Sequence, residues 1–130
     1  MKQLLVVCVV LVGLVSTSCA PAPADAVTIR FHYSHFEPGS VSVRAGTRVT
    51  ITLRNDDPID HEWIVGPSAI HDIHRHGTEA VHAGRPTEVS VPALSTRVTT
   101  ITFDDPGRYA YICHLPGHEE YGMIGELIAS

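Results

Sequence analysis

Alternation with a period of two governs this chain from residue 27 onward. Val27, Ile29, Phe31 and Tyr33 alternate with Thr28, Arg30 and His32, and Val49, Ile51 and Leu53 alternate with Thr50, Thr52 and Arg54. Successive side chains of a strand point to opposite faces, so each run predicts a strand with one buried and one wet face. Shorter runs repeat the pattern at Val41 and Val43, at Val89-Ser90-Val91, at Ile101 and Phe103, from Arg108 to Cys113, and from Ile124 to Ile128. Ala45-Gly46 and Asp104-Asp105-Pro106-Gly107 mark turns between them. No long stretch has strong helical periodicity. Seven or so short strands punctuated by Gly/Pro turns predict an all-β antiparallel sandwich, and about 110 residues close one such core without disulfides.

The amino terminus follows a different pattern. Lys2 precedes an uncharged run from Leu4 to Val15, and small residues follow from Ser16 to Ala20. The run is shorter than the roughly 20 apolar residues a membrane span needs, so residues 1–19 read as a secretory signal. Ser16-Thr17-Ser18-Cys19 resembles a bacterial lipobox, with Ser16 where that motif usually has leucine. On that reading Cys19 carries a lipid anchor and is the only contact with membrane. The alternative is ordinary cleavage near Ala22-Pro23-Ala24, which discards Cys19. Both readings export the protein, to the periplasm or the outer face of the cell membrane. Residues 20–26, rich in Pro and Ala, form a short linker, and 27–130 form one domain with an insertion at 67–86.

Of the three cysteines, Cys8 lies in the signal and Cys19 is lipidated or lost, which leaves Cys113. A lone thiol in an oxidising compartment has no internal disulfide partner and is open to oxidation unless it has a use. The net charge is −5, and loss of Lys2 with the signal makes the balance more acidic. That argues against nucleic acid and against anionic membrane surfaces, which attract basic patches. A cationic protein partner is compatible with it.

Cys113 opens the stretch Cys113-His114-Leu115-Pro116-Gly117-His118-Glu119-Glu120-Tyr121-Gly122-Met123. Thiolate and thioether are soft donors and imidazole is intermediate, so such a set favours copper over zinc, calcium or magnesium. A trigonal copper site takes two imidazoles and a thiolate with a long axial Met. The second imidazole is found upstream, in Asn55-Asp56-Asp57-Pro58-Ile59-Asp60-His61. The resulting ligand set is His61, Cys113, His118 and Met123.

Phe36-Glu37-Pro38 before two valines, Ala45-Gly46 before an alternating strand, Asn55-x-Asp57 before His61, and Cys-x-x-Pro-Gly-His-x-x-x-Gly-Met together resemble the cupredoxins, the plastocyanin- and azurin-like small blue copper proteins. The resemblance covers 27–130 apart from the segment between Gly66 and Pro86. It implies a Greek-key β-sandwich, one type 1 copper per chain, and the four ligands just named at matching positions. It also implies one-electron transfer between a redox protein donor and acceptor, not enzymatic turnover. Asn55 resembles the family's asparagine that ties the two ligand loops together.

Catalytic copper centres need further metals and a histidine on both sides of the cysteine, whereas Ile112 precedes Cys113. Neither Cys-x-x-Cys-His for haem nor a Gly-x-Ser-x-Gly elbow occurs. The other function open is copper handling, by storage, delivery or sensing, or an accessory domain that docks a redox enzyme. Trp63 shares strand parity with His61, and Tyr109 and Tyr111 share parity with Cys113, so all three are expected in the core. His32, His35 and His114 are expected on the surface. The 67–86 segment holds His71, His74, His76 and His82. Its plainer reading is a solvated loop beside the metal end. The other is a short helix from Pro67-Ser68 to Gly77 that puts His71 and His74 on one face as part of a second metal site.

Overall fold

The computed structural model describes residues 23–77 and 84–130. The signal and lipobox readings, and His82, lie outside the described residues. Those residues form strands β1 (Ala26–His32), β2 (His35–Glu37), β3 (Ser40–Val43), β4 (Arg48–Asn55) and β5 (His61–Gly66), then helix α1 (Ser68–Arg75). Strands β6 (Glu88–Val91), β7 (Thr96–Thr102), β8 (Gly107–Ile112) and β9 (Ile124–Ala129) complete the chain. Two sheets stack as a sandwich, one in the order β2-β1-β4-β7 and the other β3-β9-β8-β5-β6.

The alternating runs place most of their apolar members inward, as their period requires. Tyr33 is the exception in the first, 79% exposed because β1 ends at His32 and a turn follows, and Ile124 opens β9 facing outward. Ile29, Phe31, Val49, Ile51 and Leu53 from the first sheet meet Val43, Trp63, Val65, Val91, Tyr111 and Leu127 from the second, all essentially without solvent contact. Each such side chain stabilises the fold by roughly 1.5–3 kcal/mol relative to exposure, so the core closes without a disulfide. Trp63 and Tyr111 lie within it as expected, and Tyr109 packs on its edge.

The sandwich is not wholly antiparallel. β1 runs parallel to β4, with Val27 opposite Ile51 and Ile29 opposite Leu53, and β3 runs parallel to β9, with Val41 opposite Leu127. The remaining pairings are antiparallel. Alternation assigns a face to a side chain and says nothing about the direction of the neighbouring strand. The chain crosses from the first sheet to the second at β3, returns at β4, and crosses again for β5. These crossings set the parallel pairs.

The 67–77 stretch is a helix, not a solvated loop. Pro67 has an extended backbone just ahead of it, and Gly77, at φ 61°, ends it, its amide donating to the His74 carbonyl. α1 packs on β5, which is buried along its whole length. Close seating depends on Gly66, where a Cβ would meet Ile70 Cγ2 at 2.9 Å. His71 and His74 form the buried face of the helix.

Candidate metal centre

His61 is aimed by the loop between β4 and β5. Asn55, buried at the end of β4, directs its amide nitrogen at the carbonyls of Ile59, Val91 and Pro92 and accepts from the Asp57 amide through Oδ1. The folded loop brings the Asp57 carboxylate under the His61 ring. Asp57 accepts from the Tyr33 and Ser34 amides at 2.8 Å each and from His61 Nε2 at 2.9 Å. Burial alone would raise this carboxyl. The Ser34 and Tyr33 amides and the His61 ring outweigh it and hold Asp57 below its ordinary value. A carboxylate there fixes the His61 proton on Nε2 and leaves Nδ1 as a donor to a metal.

Cys113 stands just past β8, fully buried. Its Sγ accepts from the Glu62 amide at 3.4 Å. Burial pushes the thiol up to about 11, opposed by the Glu62 and Leu115 amides and reinforced by the Glu62 charge. Ionisation at neutral pH therefore needs a bound cation, which is how metal ligation makes a thiolate.

The loop from Cys113 to Met123 is closed by its own backbone. His118 donates its amide to Leu115, Tyr121 to Gly117, Met123 to His118, and Cys113 to Met123. Gly117 and Gly122 take φ 86° and 91°, where other residues are strained. His118 Nδ1 lies 3.2 Å from Cys113 Sγ and 3.1 Å from His61 Nδ1. Burial, and then the His61 ring beside it, hold His118 below the usual imidazole range despite Asp57.

The donor atoms of His61, Cys113 and His118 all lie within 4.8 Å of one another, the only such trio of His, Cys or carboxylate residues among the described residues. Met123 is completely buried in the same core. Two imidazoles and one thiol, with the thioether of Met123 on the same closed loop, form a donor set suited to copper.

Two expectations change here. Asn55 ties its own loop to Val91 and Pro92, not to the cysteine loop. The link between the ligand loops is Glu62, whose amide reaches Cys113 Sγ and whose Oε1 accepts from the His114 amide at 2.9 Å. Its position next to His61 was the only signal in the sequence. His114 is not a surface residue: its side chain is 4% exposed, its Nε2 is 3.0 Å from His71 Nδ1, and its Nδ1 is 3.2 Å from Glu119 Oε2. Burial pushes His114 down to about 4, opposed by Glu119 and aided by His71, His74 and Arg75. His35 is exposed and His32 partly so.

Asp57→Ala is expected to destabilise the fold by about 2–4 kcal/mol, because it leaves two backbone amides and the His61 N–H without their charged acceptor. Tyr33 and Ser34 hold φ of 53° and 55°, so the turn has little freedom to find another partner. Urea melts of the metal-free protein measure this; a loss below about 0.5 kcal/mol would show that the carboxylate does not hold the turn.

The family model described as cupredoxin-like domain matches residues 4–129. The chain is 31% identical to the copper-resistant cuproprotein CopI of Rubrivivax gelatinosus, over 72% of this chain and 58% of that protein, so it spans less than two thirds of that relative's length. It is 26% identical to the protein of the same name from Pseudomonas aeruginosa, over 72% of this chain and 69% of the relative. Among solved structures, auracyanin A of Chloroflexus aurantiacus, titled a blue copper protein, superposes with a TM-score of 0.62 at 27% identity, covering 84% of this chain and all of that one. Reduced auracyanin from Roseiflexus castenholzii gives 0.70 at 17% identity, over 84% of this chain and 99% of its own, a likeness of fold. A two-sheet sandwich with a buried cysteine and two histidines meeting at one end, matched over nearly its whole length by that family model, belongs to the cupredoxin-like domain family.

Proposed function

We propose that this protein is a one-electron carrier outside the cytoplasm, working through one type 1 copper held by His61, Cys113, His118 and Met123. The observation that carries the reading is the convergence of His61 Nδ1, Cys113 Sγ and His118 Nδ1, with His61 and Cys113 already oriented by Asp57 and the Glu62 amide. Copper bound there supplies the one-electron couple. What the chain supplies is constancy of geometry between the two oxidation states. Asp57 holds the His61 ring, the Glu62 amide takes up part of the charge on sulfur, and the interlocked backbone of residues 113–123 holds His118 and Met123. A cage that moves little keeps the reorganisation cost of each transfer low.

The reading is of a carrier, not an enzyme, because four protein donors, one of them the buried Cys113 sulfur, would leave the metal no open position for a substrate. Redox partners would dock at the end where His118 is partly exposed. Ile59, Leu94 and Tyr121 stand exposed on or beside the ligand loops there, Leu94 donating its amide to the Asp57 carbonyl. Export and a lipid anchor at Cys19 remain part of the proposal. Copper handling is the second reading, favoured by the relatives named for copper resistance.

Electrochemistry of the copper-loaded protein separates the two. A carrier shows a reversible couple at positive potential with fast self-exchange, and holds its metal against a chelator. Irreversible electrochemistry with ready release of copper would overturn the carrier reading in favour of delivery. Met123→Leu is expected to keep copper and raise the potential, since removing a weak donor disfavours Cu(II) relative to Cu(I). An unchanged potential would show that Met123 is not an axial ligand.

A further inference from the structure

A second pair of imidazoles, outside the centre just described, repeats its geometry. His71, on α1, and His114, next to Cys113, are brought together by the packing of the helix on β5 and β8. His71 Nδ1 lies 3.0 Å from His114 Nε2, as His61 Nδ1 lies 3.1 Å from His118 Nδ1. In both pairs the outward nitrogen of a ring is engaged by an acceptor: Asp57 for His61, the Ala110 carbonyl for His71 at 3.2 Å, and Glu119 for His114 at 3.2 Å. A carbonyl and a carboxylate only accept, so they place the ring protons of neutral His71 on Nε2 and of neutral His114 on Nδ1. The two nitrogens facing each other then both present lone pairs. Such an arrangement repels unless something positive lies between them.

We propose that His71 and His114 form a second metal site, for an imidazole-preferring transition ion such as copper or zinc, which His74 would complete only by moving closer, since its nitrogens do not join theirs within 4.8 Å. Nitrogens about 2.0 Å from a tetrahedral ion stand about 3.3 Å apart, so the pair needs only a small separation to admit one. The Ala110 carbonyl and Glu119 are the kind of partners that orient metal-ligating imidazoles and raise their basicity. His74 lies on the same helix face with its ring parallel to that of His114, centroids 5.4 Å apart, and its Nε2 is 3.9 Å from Glu88. A surface cleft lined by His74, Arg75, His114 and Glu119 reaches the His114 ring of the pair and gives an ion its way in. Arg75 does not stand free against an incoming cation, because its guanidinium is held by Glu119 and Asp72. His114 follows Cys113 directly in the chain, so the second ion would sit one residue from the ligand sulfur of the first.

The site is independent of whether the main centre carries electrons, and its test reads separately. The full chain is first loaded with copper until its visible band reaches a plateau. Cu(II), and in a parallel series Zn(II), is then added, and bound metal is counted after dialysis. One further equivalent is expected. His71→Gln should weaken it at least tenfold while leaving the visible band unchanged, and His76→Ala, an exposed histidine of the same helix end, should leave it in place. Electron paramagnetic resonance of the second Cu(II) in the parent protein should show at least two imidazole nitrogens, a readout that needs no variant to fold. A total of one metal per chain would overturn the site and leave a shared proton as what joins the pair. So would a second equivalent that survives His71→Gln or is lost in His76→Ala.

Discussion

Cys113→Ser protein loaded with Cu(II) is expected to lack the whole of the strong visible band. That band requires charge transfer from a thiolate to the metal, and Cys113 is the one free cysteine among the described residues. Serine retains the shape but offers a hydroxyl, a hard donor that does not ionise near neutral pH, in place of a soft sulfur whose ionisation the metal drives. The two imidazoles remain, so weaker, pale Cu(II) binding should persist through His61 and His118, and it should weaken further in His61→Ala or His118→Ala. The Glu62 amide, which points at Sγ from 3.4 Å, loses its charged acceptor at the same time. An absorption spectrum decides the matter: retention of the same colour would show that the sulfur is not a ligand.

Gly125→Ala should be among the most destabilising single-methyl additions available in this chain. Gly125 lies opposite Tyr111 across the β8–β9 pairing, and the tyrosine ring lies on it. A Cβ at Gly125 would stand 2.0 Å from Tyr111 Cε2 and 2.3 Å from Cζ. The ring has nowhere to go. It is fully buried, meets Phe36 edge-on at 5.1 Å, and its hydroxyl donates to the Pro38 carbonyl at 2.8 Å. Overpacking a core costs typically 1–3 kcal/mol and displacement of the hydroxyl adds about 1 kcal/mol. A loss of about 3 kcal/mol is therefore expected, a large part of the 5–15 kcal/mol typical of a domain. Urea unfolding should show a lower midpoint at unchanged slope, and Tyr111→Leu in the same background should recover part of the loss. A midpoint equal to that of the parent would mean that the ring does not rest on the glycine.

The sequence alone was enough for those features whose physical cause is local. A half-buried strand alternates in any context, so Val27–Phe31 and Val49–Leu53 announced their inward faces, which the core of the structure bears out. The ligand loop is equally local: Pro116, Gly117 and Gly122 shape a turn that carries Cys113, His118 and Met123 within eleven residues, and donor softness points to copper without any coordinates. Pro67 and Gly77 likewise marked the ends of α1.

Whatever depended on which segments meet across the fold was decided by tertiary structure. The parallel pairing of β1 with β4 and of β3 with β9 follows from the order in which the chain crosses between sheets, and a period of two is blind to it. Asp57 and Glu62 gained their roles from partners in other segments, the Tyr33 turn for one and the Cys113 loop for the other. The burial of His71 and His114 is the sharpest case. Histidine is neither reliably buried nor reliably exposed, so composition favoured a solvated segment, and only the seating of α1 on Gly66 and the second sheet brings two rings forty-three residues apart to 3.0 Å. Sequence determines what a side chain can donate and which face it takes; contact between distant donors exists only once the packed core has fixed the distance between them.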